Sequence, residues 1–212
     1  MSPPPDAAPK TASAGTAAAP RPGLRERKKA RTKAAIQREA VRLFRDRGYA
    51  ATTVEQVAAA AEVAPSTVYR YFPTKEDLVI SDDYDDAFFR AVNAQPAGLT
   101  PIQAQREAMR DLFAGLSDAE LTQQRERWLL MLSEPELWGA SLGNIKRTMR
   151  AMAGEVAGRA GRDPADPAVR ASIGAVFGVV LTVAVDWAEQ PDMDFPAAVD
   201  QALAYLEAGL PL

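Results

Sequence analysis

The stretch Thr52-Thr53-Val54-Glu55-Gln56-Val57-Ala58-Ala59-Ala60-Ala61-Glu62-Val63-Ala64-Pro65-Ser66-Thr67-Val68-Tyr69-Arg70-Tyr71-Phe72-Pro73-Thr74-Lys75-Glu76-Asp77-Leu78 decides the fold. Thr53, with Gln56 three residues on, has the pattern of a capping box, so a helix is expected to start there and run to about Ala60. After a short turn around Glu62-Val63, Pro65 falls at the first position of the next helix, where its fixed φ fits and its missing N–H is no loss. That helix ends near Tyr71-Phe72. Small Ala58 and Ala61 let the two helices approach, while Val57, Val63 and Val68 fill the space between them. Two short helices joined by a tight turn predict a helix-turn-helix, whose second helix can enter the major groove of DNA. Pro65, Ser66, Thr67, Tyr69, Tyr71 and Lys75 then remain for the nucleic acid. Tyr71-Phe72 has a competing reading, packing against the helix before the motif, and for Phe72 that reading is preferred.

Working outward, the segment before the motif is helical from Arg31, with Ile36, Ala40, Leu43 and Phe44 on one face and Gly48 as the stop. Ahead of it, Arg25 to Lys33 carries six positive charges against one negative. Lys28, Lys29 and Arg31 suit an arm that neutralises phosphates, although a solvated helix start has the same composition. Residues 1–23, with six Pro and seven Ala, cannot bury a core and are expected to form a disordered leader. Residues 1–75 hold 14 Lys/Arg and 6 Asp/Glu, whereas residues 76–212 hold 11 and 22. A basic half that meets a polyanion and an acidic half with another task account for that split.

The Thr-Thr-Val, Val-Ala and Ser-Thr-Val-Tyr-Arg-Tyr-Phe-Pro-Thr-Lys-Glu-Asp-Leu segments resemble the DNA-binding domain of the tetracycline-repressor (TetR) family, over roughly residues 34–79. The remaining chain resembles that family only in length and helical rhythm. The resemblance implies that Thr53, Tyr69 and Lys75 touch the phosphate backbone, and that Pro65, Ser66, Thr67 and Tyr71 face base edges. Two positions depart from the family pattern: Glu62 stands where the turn normally has Gly, and Ala64 where the recognition helix normally has a Ser cap.

The rest reads as helices separated by proline-bearing loops, with no alternating strand pattern and no internal repeat. The expected fold is all-α, with about nine helices. Residues 24–74 would form a three-helix DNA-binding domain and residues 75–212 a larger ligand-binding and dimerisation domain. The fourth helix is expected to be continuous from its cap at Thr74 through Leu78, Tyr84 and Phe88. Trp128, Met131, Trp138, Met149, Met152 and Phe177 suit the lining of an apolar cavity, with plain core packing as the alternative for each. The helix following Pro167 carries two apolar stripes, one of them Gly174, Gly178, Leu181 and Val185, which points to burial on both sides. Together with Val199 and Leu206 of the last helix, it would form a four-helix bundle across a two-fold axis, as the resemblance implies.

The chain has no Cys and no His, which removes thiolate chemistry, the commonest general base and the commonest metal ligand. No catalytic constellation stands out, so no enzyme activity, cofactor or metal is expected. The longest uncharged apolar run, Ala171 to Val185, is shorter than the about 20 residues that span a bilayer, so no membrane partner and a cytoplasmic location are expected. The function that follows is a homodimeric repressor of a palindromic duplex operator, released by a small apolar effector. A regulator controlled by a protein partner, or by nothing, is the alternative, and a filled C-terminal core would favour it.

Overall fold

A basic, amphipathic stretch opens the fold: Leu24–Arg47 forms α1, and Gly48 ends it at φ 88°, its N–H bonding Phe44 O at 2.9 Å. The computed structural model describes residues 23–81 and 84–211. The expected leader lies outside these residues, apart from Gly23. The other helices are α2 Val54–Ala60, α3 Pro65–Tyr71, α4 Asp77–Ile80, α5 Tyr84–Ala94, α6 Pro101–Ala114, α7 Asp118–Ser133, α8 Pro135–Ala160, α9 Pro167–Glu189 and α10 Phe195–Glu207. The described residues are all helical in their regular structure, as the sequence predicts, with ten helices where about nine were expected. The extra one comes from the fourth helix. It is capped as foreseen, with Thr74 and Asp77 exchanging backbone and side-chain bonds of 3.0 and 3.2 Å, but it stops at Ile80, and the chain resumes as α5 at Tyr84. α1 also starts earlier than Arg31, so the basic arm is part of a helix.

Local chemistry sets the boundaries. Thr53 and Gln56 form the predicted capping box of α2, and the same device starts α6 at Thr100/Gln103 and α7 at Ser117/Glu120. Proline occupies the first turn of α3, α6, α8, α9 and α10.

Ile36, Val41 and Phe44 of α1 pack with Val57, Val68, Phe72 and Leu78 in one core, and Leu130 of α7 and Leu137 of α8 belong to the same cluster. The helix-turn-helix therefore shares its interior with α7 and α8, and the core does not stop at residue 74. A second cluster joins Met152 and Val156 of α8, Ile173, Val176 and Trp187 of α9, and Phe195, Val199 and Leu203 of α10. Phe88 and Val92 of α5 pack on Ala104 and Ala108 of α6 in a third.

Candidate DNA-reading face and internal cavity

The turn of the motif is built as a helix terminus. Val63 N–H bonds Ala58 O at 3.0 Å and Glu62 N–H bonds Ala59 O at 3.2 Å, a closure that requires a left-handed residue at position 62. Glu62 takes that role at φ 54°. Ala64, the N-cap of α3, supplies no side-chain bond, so α3 relies on Pro65 for its start. Phe72 is fully buried, which confirms its packing role.

The exposed side of α3 presents Pro65, Ser66 and Tyr69. A cleft of about 800 Å³ lies between the first turns of α1 and the α2–α3 pair, walled by Arg25, Lys28, Lys29, Thr67, Arg70 and Tyr71. The structure thus unites two expected phosphate-binding lysines with two expected base-facing residues. Four cations around one cleft fit a polyanion. Arg25 belongs to the basic run expected to neutralise phosphates; Arg70, 5.2 Å from the Tyr71 ring, was not foreseen, because a lone arginine between two aromatic residues carries no pattern. Thr53 is exposed at the start of α2, and its oxygen accepts from Gln56 N–H at 3.3 Å, so its own hydroxyl proton can be offered to a phosphate. Arg31 is exposed on α1 but does not line the cleft. Lys75 differs from expectation: its ammonium donates to Tyr49 O at 2.6 Å and lies 4.1 Å from the Tyr49 ring. In this conformation it ties the segment after α3 to the α1–α2 loop.

Two partly open cavities lie among the helices of the second domain. One, of about 150 Å³, has Trp128, Met131, Trp138 and Phe177 in its wall; the other, of about 230 Å³, has Met152, Trp128 and Phe177. They meet at Gln124, Trp128, Thr148 and Phe177, which line both. Five of the six residues expected to line a pocket therefore do so. Met149 does not: it lines a surface groove between α8 and α9, beside Gly174. The polar lining residues, Gln124, Arg127, Ser141, Asn144 and Thr148, were missed, since isolated polar residues in a helix carry no periodic signal. Arg127 is 5 % exposed and donates to the carbonyls of Val79 and Ser81 at 2.7 and 3.1 Å and to Gln124 Oε1 at 3.0 Å. The cavity wall is thus bonded directly to the end of α4.

On the expected dimer face, Gly174 is exposed and Gly178, Leu181 and Val185 are half-buried. Leu181 also reaches the smaller cavity. Val199 is a correction: it is 0 % exposed, turned into the protomer's own core with Phe195 and Leu203, and cannot meet a partner. Leu206 is partly buried against the same cluster. α9 is long and apolar enough, by length and composition, to cross a membrane, with a mean hydropathy of 2.0 over its most apolar stretch. The helix is longer than the uncharged run Ala171 to Val185 because it continues past Arg170 and Asp186 at its margins. Val169, Ile173, Val176, Ala184 and Trp187 nevertheless bury one side of it in the protein core.

A two-helix reader bonded through its core to a larger helical domain with an internal apolar cavity defines a DNA-binding transcriptional regulator. Residues 36–81 match the family described as bacterial regulatory proteins, tetR family, and residues 99–211 match the MftR C-terminal domain. The HTH-type transcriptional regulator TcmR of Streptomyces glaucescens is 35% identical over 184 residues, covering 83% of this chain and 81% of TcmR. The chain belongs to the TetR family, whose members are regulators and not enzymes. In fold it is similar to FadR from Bacillus subtilis in complex with stearoyl-CoA (TM-score 0.59, 21% identity, 83% of this chain and 98% of that one). It is likewise similar to SmeT, the repressor of the Stenotrophomonas maltophilia multidrug efflux pump SmeDEF (TM-score 0.56, 22% identity, 84% and 89%).

Proposed function

We propose that this regulator is a cytoplasmic homodimeric repressor that holds a palindromic duplex operator through α3 and the basic turns of α1, and releases it when a largely apolar small molecule enters the paired cavities. The observation that carries this reading is the cavity pair itself, because a filled core would have favoured control by a protein partner. Its apolar walls with a few polar groups suit a small hydrophobic ligand. FadR from Bacillus subtilis is in complex with stearoyl-CoA, so a chain of this fold accommodates a ligand with a long apolar tail. Residues 24–74 are the proposed reader, with Thr53, Tyr69, Lys28, Lys29 and Arg70 toward phosphates and Pro65, Ser66, Thr67 and Tyr71 toward bases. Residues 75–212 take the effector and the partner subunit.

The dimer is supported by α9. Within the protomer Gly174 is exposed and Gly178, Leu181 and Val185 are only half-buried, a small and aliphatic stripe left for a partner to cover. A second copy presenting the same face through a two-fold axis supplies that cover. Screening hydrophobic metabolites and drugs for tryptophan quenching and, in parallel, for loss of a gel shift tests the release. Compounds that quench should also free the DNA. Quenching without release would hand the assignment to the partner-controlled alternative.

A further inference from the structure

The smaller of the two cavities is not closed by the protomer. Among the residues that line it, Trp138 alone is exposed, at 36 %, so the mouth lies at that side chain, on the seam between α8 and α9. Leu181 of α9 shares the same wall, and it also belongs to the stripe with Gly174, Gly178 and Val185 that would meet a second subunit. We infer that a second copy of this chain covers the mouth, so that the effector site is completed only in the dimer. The inference rests on the effector and dimer readings, and it adds a linkage between them: the effector tightens the dimer, and the dimer tightens the effector.

An apolar surface continues along the seam from the mouth. Leu142, one turn beyond Trp138 on α8, is 57 % exposed. Ile145, a turn further on, lines both the smaller cavity and the neighbouring groove of about 630 Å³, which Leu142 and Gly174 also line. Mouth, groove and stripe are therefore one surface. A continuous patch of exposed large apolar side chains marks an interaction site.

Shape decides which partner fits. A two-fold contact sets a patch against itself, so the patch must hold both projections and gaps. Trp138 and Leu142 project, whereas a Cβ at Gly174 or Gly178 would meet nothing within 4 Å. Large residues of one copy can thus enter the gaps of the other. Lys146, Arg150 and Arg170 line the groove but not the cavity, which keeps charge at the edge of the patch, as in the rim of an interface. A ligand beneath such a cover loses its remaining contact with water, and the apolar area it buries rises with it. That extra burial is available only to the dimer, and by reciprocity the same free energy then holds the subunits together.

The test uses the full-length chain and N-phenyl-1-naphthylamine, a neutral apolar fluorophore. Wild-type protein is diluted through its dimer dissociation, followed by sedimentation, and the probe is titrated at each concentration. The monomer should bind the probe about tenfold more weakly than the dimer, or worse, and saturating probe should lower the dimer dissociation constant by at least the same factor. Leu142→Glu gives a second route, because Leu142 lies outside both cavity walls. This variant should keep its helical circular dichroism, sediment as a monomer, show the same loss of probe affinity, and expose tryptophan to acrylamide more than the wild type does. Monomer and dimer that bind the probe within about threefold of each other would overturn the inference, as would a Leu142→Glu protein that remains a tight dimer. If the wild-type dimer takes up no probe at all, the effector reading itself fails.

Discussion

Glu62 is a side chain in a backbone position made for glycine. At φ 54° a Cβ crowds the neighbouring carbonyl, at about 1 kcal/mol, partly offset because glycine is more flexible when unfolded. Glu62→Gly should therefore raise the unfolding free energy in urea by about 0.5–1 kcal/mol; a loss of stability would mean that the glutamate has a compensating contact. Lys75, unlike Glu62, is held differently from the sequence expectation. Its bond to Tyr49 O and its place over the Tyr49 ring make it a brace, so Lys75→Ala should cost about 1–2 kcal/mol of stability. Lys28→Ala and Arg70→Ala, in the basic cleft, should leave stability unchanged and lower the salt dependence of DNA binding by about one unit of log–log slope each. If Lys75→Ala instead leaves stability intact and flattens that slope, its side chain turns outward on DNA. The motif specified Glu62, Ala64 and Phe72 well because backbone geometry and packing are local. The direction taken by the long Lys75 side chain was not legible, because it depends on Tyr49, which lies in another part of the chain.

At the level of elements, the helix starts were legible and several helix ends were not. Starts are written in adjacent residues, as at Thr53/Gln56 and Ser117/Glu120. Ends are often satisfied from a distance: Arg127 bonds the carbonyls closing α4, Arg159 those of Val92 and Gln95 at the end of α5, and Arg125 those of Trp187 and Ala188 in α9. Arginines that serve as long-range caps look, in sequence, like ordinary solvated charges. This is why a break after Ile80 was read as a continuous helix. The contact between α6 and α10 has the same character. Asp200 takes two bonds from Arg106, at 2.7 and 3.0 Å, and two from Arg110, at 2.6 and 2.9 Å, while Arg106 also reaches Glu207 at 3.1 Å. Hydrogen bonds from Arg106 and then Arg110 hold the Asp200 carboxyl well below the usual carboxylate range. A carboxyl depressed in the folded state stabilises fully above its unfolded value, about 4, and loses that contribution as pH falls below it. Asp200→Asn should cost about 1–2 kcal/mol at pH 7, a modest figure because Arg110 is partly solvated. Acid unfolding of the variant should be less steep between about pH 4 and pH 2. Equal acid limbs for the two proteins would mean that Asp200 is not a source of the pH dependence.

Over the whole molecule, the charge split and the motif marked the face proposed to read DNA, and large apolar residues of the second half, Trp128 and Phe177 among them, fall in the walls of both cavities. The sequence did not separate inside from outside on α9 and α10, since a stripe facing the protomer core and a stripe facing a partner are both simply apolar. Val199 fell on the wrong side for that reason, whereas Gly174 and Gly178 have open space where a side chain would begin. That openness makes a clean test. A Cβ at either position meets nothing within 4 Å in the protomer, so a Gly174→Leu/Gly178→Leu protein should stay folded yet sediment as a monomer and lose operator binding; a tight dimer would place the interface elsewhere. The most direct measurement of the central claim is selection of random duplexes by the full-length protein at moderate salt, followed by sizing of the selected complex. The account predicts an enriched inverted repeat, with half-sites about one helical turn or modestly more apart, bound by two-fold pairs of subunits. Enrichment of no inverted repeat over random duplex would contradict it.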